Sequence, residues 1–169
     1  MASQKARDLF IVGLRNARAM ERQAEEILER QAETLVDYPD MRTKVRQHLG
    51  ETREQIRRLD QCLDSLGESK STVKDAAMSF VGNMAAMGHG VAGDAILKNT
   101  FVDEAFEHYE IAAYKSLLTL CDRAGVTAAA QPLQTSLREE EQMAAWIDQH
   151  VGDITLQFLR NAERAEARA

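Results

Sequence analysis

An all-α four-helix bundle is the fold class this sequence predicts. Three observations carry it: a helix-forming composition, apolar residues at three- and four-residue spacing over long stretches, and turn residues that cut those stretches into four. Hydrophobic residues make up 44% of the 169-residue chain but aromatic ones only 5%, with 2 prolines and 9 glycines, a balance that suits helices better than sheets. A chain of this length fits a single domain, residues 1–169, and can bury roughly two-thirds of the surface its unfolded form exposes.

The first helix is expected over residues 9–35, where Phe10, Leu14, Ala17, Ala24, Leu28 and Leu35 keep one face apolar. Tyr38-Pro39-Asp40 is a turn, and Pro39 also suits the first turn of the next helix. That second helix, residues 40–66, places Val45, Leu49, Ile56, Leu59 and Leu63 on its apolar side and stops at Gly67. Residues 68–94 read as a crossover connection. Ser69 or Ser71 can cap a short helix over 72–87, in which Met78, Phe80, Val81, Met84 and Met87 supply pliable packing, before Gly88, Gly90 and Gly93 break the pattern. Asp94 can cap a third helix reaching Ala124 with Gly125 as its stop, and Thr127 can open a fourth that runs past Pro132 to about residue 151. A last segment, about 154–164, carries Ile154, Leu156, Phe158 and Leu159 and reads as an extra C-terminal helix outside the bundle or on a partner. The core bundle is thus expected at about 8–150, with 152–169 as an extension.

The net charge of -6 offers no basic field, which argues against nucleic acid and anionic membranes as partners. No run approaches the roughly 20 apolar residues of a membrane span, and residues 1–8 lack the blocks of a signal peptide, so the cytoplasm is the expected compartment. Cys62 and Cys121 have no CxxC or Cys/His spacing, which signals neither a disulfide framework nor zinc. On inward faces they are expected to be inert, reduced thiols rather than nucleophiles. A connection as long as 68–94 lets the second and third helices run parallel, which would put both cysteines in one core layer, their sulfurs within about 10 Å.

The chemistry lies in the acidic residues that interrupt the apolar stripes. Glu21 sits within Leu14, Ala17, Ala24 and Leu28; Glu51 and Gln55 begin a row that continues Leu59, Cys62, Leu66; Asp103, Glu107, Glu110, Tyr114, Leu117 and Cys121 share a face; and Glu140 lies among Leu137, Ala144 and Ile147. Every long helix therefore turns at least one carboxylate inward near mid-height. A buried carboxylate without a partner costs several kcal/mol, and a cluster of them needs protons or cations. A pair of divalent metals bridged by carboxylates resolves this in helical bundles, with some ligands spaced i, i+3 as Glu107 and Glu110 are. Glu25, Glu54, Glu104 and Glu141 are expected to face solvent, although Glu54, three residues past Glu51, stands where a ligand would fit. His108 is expected at the surface or beside the site at best, and Tyr114 as a core tyrosine whose hydroxyl needs a partner.

At these residues the sequence resembles the YciE/YciF ferritin-like family of bacterial proteins. The matching segments are Ala19-Met20-Glu21-Arg22-Gln23, His48-Leu49-Gly50-Glu51-Thr52 with Gln55 and Arg58-Leu59, Glu107-His108-Tyr109-Glu110-Ile111-Ala112-Ala113-Tyr114, and Leu137 with Glu139-Glu140-Glu141. The resemblance implies a ferritin-like bundle with a rubrerythrin-type dinuclear site on Glu21, Glu51, Glu107, Glu110 and Glu140, with Gln55 less firmly attached. Two departures stand out: no Glu-x-x-His pair exists on the second or fourth helix, and Glu54 and Met143 occupy the places where rubrerythrin-like sites put histidines. The expected site is therefore oxygen-rich, without imidazole, and takes iron or manganese or the harder Mg²⁺ and Ca²⁺.

Two functions compete. One is metal binding with iron or peroxide handling under stress, including di-iron oxidase or peroxidase-like turnover with oxygen or peroxide; the other is a non-enzymatic helical scaffold with a vestigial carboxylate cluster. A homodimer is expected in either case, because Phe80, Val81 and the nearby methionines, with Ile154, Leu156 and Phe158, exceed the apolar surface one bundle covers.

Overall fold

A computed structural model of the chain describes residues 3–69 and 94–168. The expected crossover helix and its methionines, with Phe80 and Val81, lie outside the described residues. Helix α1, Gln4–Thr34, starts earlier than the apolar stripe, because the Ser3 hydroxyl accepts from the Ala6 amide at 3.4 Å and caps it. Helix α2, Pro39–Ser65, opens on its proline and closes in a Schellman turn, with Gly67 at φ +70° and the Glu68 amide donating to the Leu63 carbonyl at 3.0 Å. Helix α3, Ala95–Ala124, closes the same way at Gly125, φ +68°, with the Val126 amide on the Cys121 carbonyl. A 3-10 turn, Thr127–Ala129, leads into helix α4, Ala130–Glu166.

Helix α4 corrects one expectation: the extra C-terminal helix is not separate but the continuation of the fourth. Gly152 does not end it, since it has no positive φ. A glycine inside a helix costs about 1 kcal/mol. Burial of Ile154, 5% exposed, against the Leu28 to Leu49 cluster returns about 1.5–3 kcal/mol. Gln157 also donates to the Asp37 carbonyl in the α1–α2 turn at 2.5 Å. Ile154, expected on an outer surface, is therefore core, while Leu156 and Leu159 are exposed.

Helices α1 and α2 are antiparallel neighbours, as are α3 and α4, and α1 also packs against α3. The Ser3 amide donates to the Arg123 carbonyl at 3.3 Å, and Gln31 meets Asp103, so α1 and α3 run in opposite directions. Consequently α2 and α3 are parallel. Two apolar clusters fill the two ends. One gathers Phe10, Leu14, Leu59, Cys62, Leu63, Leu117, Cys121 and Leu133; the other Leu28, Leu35, Met41, Val45, Met143, Ile147 and Ile154. Both cysteines are thus free and in one cluster, as expected. Burial, with Cys121 nearby, pushes the Cys62 thiol up to about 11, and Cys121 points its thiol at the Val126 carbonyl, 3.0 Å away. Both are protonated and unreactive at neutral pH. Between the clusters lies a polar layer.

Candidate metal centre

The layer is built at one height from all four helices. From α1 comes Glu21; from α2, His48, Thr52 and Gln55; from α3, Glu107 and Glu110; from α4, Glu140. None is more than 4% exposed. His48, Glu107, Glu110 and Glu140 each offer one ligand atom, and these four atoms lie within 4.8 Å of one another. Two ionised carboxylates at that separation repel by about 3 kcal/mol even at an effective dielectric near 20. Accordingly burial and the Glu140 charge hold Glu21 well above the usual carboxylate range, and burial with Glu140, Glu21 and Glu107 does the same to Glu110. Burial also pushes Glu107 up to about 8, against the opposing pull of His48. Burial alone would lower His48, yet the Glu107 charge and the approach of Glu107, Glu140 and Glu51 outweigh it and keep the imidazole well above its usual range. Without a cation the layer keeps protons.

The ring of His48 is held at Nδ1 and turns Nε2 toward two carboxylates. Nδ1 lies 3.0 Å from Glu51 Oε2, and Nε2 stands 3.4 Å from carboxylate oxygens of both Glu107 and Glu140. On α1 and α3, Tyr114 donates to Glu21 Oε1 at 2.6 Å. On α2 and α4, Gln55 donates to Glu140 and, at 3.1 Å, to Glu139, which Arg58 grips with two hydrogen bonds of 2.6 and 2.8 Å. These contacts orient the layer from outside. They leave Glu21 Oε2, His48 Nε2, Gln55 Oε1, Glu107 Oε2, Glu110 Oε1 and Glu140 Oε2 buried without a hydrogen-bond partner. Buried polar atoms are rarely left so, and convergent orphan acceptors beside an imidazole nitrogen fit a divalent cation.

The structure therefore gathers Glu107, Glu110 and Glu140 as the sequence places them, with Glu21, Gln55 and Tyr114 in the same layer. It does not bring Glu51 into the group of four. Its side chain is 21% exposed and is spent on His48, and the imidazole holds its carboxyl down at about 2. Glu54 is 49% exposed and pairs with Arg57, Glu141 pairs with Lys115 at 3.1 Å, and exposed His108 pairs with Glu104. Contrary to expectation the group contains an imidazole, because a row phased from Glu51 leaves His48 out. Counting at 100° per residue from Met41, Val45, Leu59 and Cys62 puts His48 within about 20° of the centre of that stripe and Glu51 about 75° from it. That count was available from the sequence.

Comparison with known proteins agrees with this architecture. Residues 5–160 match the family described as "Domain of unknown function (DUF892)". Protein YciF of Escherichia coli is 35% identical over 101 residues, which cover 56% of this chain and 59% of that protein, so the chain spans less than two-thirds of the curated relative it matches. Among solved structures, a protein from Xanthomonas campestris pv. campestris superposes with a TM-score of 0.80 at 30% identity, covering 94% of this chain and 99% of that one. The Escherichia coli stress protein YciF superposes with a TM-score of 0.77 at 24% identity over 90% of this chain and 98% of its own, a likeness of fold. No helix among the described residues is long and apolar enough to cross a membrane.

Proposed function

The chain belongs to the DUF892 family, whose function is unassigned, and from that premise we propose that it is a ferritin-like metal-binding protein with a dinuclear site in its polar layer. The observation that carries the reading is the convergence, within 4.8 Å, of buried ligand atoms from His48, Glu107, Glu110 and Glu140. These four would hold one ion, and Glu21 with the shared Glu110 and Glu140 would hold the second. One imidazole among carboxylates moves the preference from Mg²⁺ and Ca²⁺ toward iron or manganese. The Glu51 carboxylate on Nδ1 leaves Nε2 free to face the metal, the usual second partner of a ligating histidine.

Bound iron would supply one-electron chemistry toward oxygen or peroxide, which fits the stress-protein description of the Escherichia coli relative. The chain's own groups would exclude bulk water, hold Glu21 through the Tyr114 hydroxyl and anchor Glu140 through Gln55, Glu139 and Arg58. The exposed Leu156 and Leu159 of α4 fit a homodimer. Light scattering at tens of micromolar would test that, and a monomeric mass would count against it.

The decisive measurement is titration of metal-free, full-length protein with Mn²⁺ and, without oxygen, Fe²⁺. About two ions per chain should bind. Glu110→Ala should abolish tight binding, whereas Glu141→Ala, on the exposed face, should not. No binding by the unaltered protein would overturn the reading.

A further inference from the structure

The inward row of α3 does not end at Glu107. One turn farther, toward the end of the bundle where α1 turns into α2, Asp103 is buried at 7% exposure. Across the α1–α3 contact, Gln31, 9% exposed, donates from Nε2 to Asp103 Oδ1 at 2.7 Å. Neither residue belongs to the four-ligand group. That single bond satisfies one atom of each side chain and leaves Asp103 Oδ2 and Gln31 Oε1 both buried and unpartnered. A pair kept only for packing would be expected to satisfy these oxygens, since each orphan costs about 1–3 kcal/mol. Two spare oxygen acceptors on a bonded pair of side chains are instead what a cation needs.

The surroundings connect this pair in both directions. A cavity of about 30 Å³ is lined by Asp103 and Glu107, its other walls being apolar residues such as Ala24, Leu28, Val102 and Phe106. That is room for one small ion or water. Gln31 in turn lines a larger cavity of about 310 Å³ at the end of the bundle, with Tyr38, Ile96 and Asn99. The Gln31–Asp103 bond stands between the two. The pair thus stands between the larger cavity, on the Gln31 side, and the smaller one, on the Asp103 side, which Glu107 also lines.

We propose that Gln31 and Asp103 form a weak site for a single divalent cation, through which ions reach the cluster at Glu107. The inference rests on the metal-centre reading above. An ion moving between apolar walls must shed part of its hydration shell, and a carboxylate with an amide oxygen halfway replaces part of it. Two neutral or singly charged oxygens bind weakly enough to release the ion onward to three carboxylates and an imidazole.

The test uses metal-free, full-length protein and Mn²⁺, with loss of the free-ion electron spin resonance signal as readout in rapid mixing and at equilibrium. Asp103→Asn keeps the acceptor for Gln31 and so preserves packing, which circular dichroism checks. It should slow filling of the cluster about tenfold or more while cluster affinity stays within about twofold. Gln31→Glu, adding a carboxylate, should speed filling or tighten the weak site. In a Glu110→Ala background the weak ion should persist, and adding Asp103→Asn should remove it. Unchanged filling in Asp103→Asn, with cluster binding intact and no weak ion in Glu110→Ala, would overturn this proposal and leave the metal centre standing. Failure of the unaltered protein to bind Mn²⁺ would overturn both.

Discussion

Helices α2 and α3 run parallel through the same core, and each interrupts its buried face with polar residues at mid-height, yet their sequences reveal those faces unequally. On α3 the polar residues Asp103, Glu107, Glu110 and Tyr114 all fall within about 30° of the centre of the buried arc, which Phe106 and Ile111 bound on either side. On α2 the buried arc is about as wide, from Cys62 to Leu49, but a carboxylate, Glu51, stands about 20° outside its margin, beside Cys62. A row drawn along that margin takes Glu51 in. The lesson is that a polar residue is located by its angle from the centre of the stripe, not by its chemical suitability. Glu51 has a ligand's chemistry at the margin; His48 has it near the centre.

The strongest test of that comparison is the order of metal affinities. Removing a central ligand by Glu110→Ala on α3 or His48→Ala on α2 should weaken Mn²⁺ binding by more than about 100-fold, whereas Glu51→Ala, acting through His48, should cost about 10–100-fold. Exposed Glu54→Ala should change little. Calorimetric titration of the four variants decides it, and a loss at Glu51 as large as at Glu110 would return Glu51 to the ligand set.

A smaller effect separates the same residues by pH. In metal-free protein Glu107, raised to about 8 by burial, keeps a proton that the unfolded chain has lost above the usual glutamate value near 4.3. Stability should therefore be full below that value and fall as pH rises toward 8, at up to about 1.4 kcal/mol per pH unit for each such group. His48, raised above its unfolded value, has the same sign at higher pH. Glu51 has the opposite sign: depressed to about 2, it contributes stability that is lost as pH falls from about 5 toward 2. Denaturant titration from pH 3 to 8 should show both limbs, and Glu51→Gln should flatten only the acid one. Stability that stays level from pH 4.5 to 7.5 would mean the layer is solvated. Metal should reverse the upper limb, because its ligands bind it deprotonated.

Much of this was legible in the sequence. The inward rows of α1, α3 and α4 are fixed by apolar residues three or four positions to either side of Glu21, Glu110 and Glu140, so the carboxylates could be placed before any coordinates. The phase of α2 is obscured by Glu51, a carboxylate just outside the margin of its buried arc. The partners that orient the layer, Tyr114 on Glu21 and Arg58 on Glu139, join residues 93 and 81 positions apart, and no local pattern encodes such pairs. The Gln31–Asp103 bond spans 72 positions and was hidden for the same reason. The continuity of α4 is not legible because nothing local in the sequence shows that Ile154 finds burial only if the helix continues past residue 151.

Unlike their faces, the ends of α2 and α3 are equally readable, and a glycine comparison gives the smallest predicted effect. Gly67 and Gly125 both occupy the left-handed region, where a side chain costs roughly 1–2 kcal/mol. Gly152 is helical, and an added Cβ would meet nothing within 4 Å there or at Gly67. Space is therefore equal at Gly67 and Gly152, and backbone conformation alone distinguishes them. Gly67→Ala should lower stability by about 1–2 kcal/mol. Gly152→Ala should raise it by about 0.5–1 kcal/mol, the difference between alanine and glycine inside a helix. Thermal and denaturant unfolding of the two variants supplies the check. A loss at Gly152 comparable to that at Gly67 would mean that the fourth helix ends there after all, with Gly152 as its left-handed stop and the segment beyond it packed as a separate element.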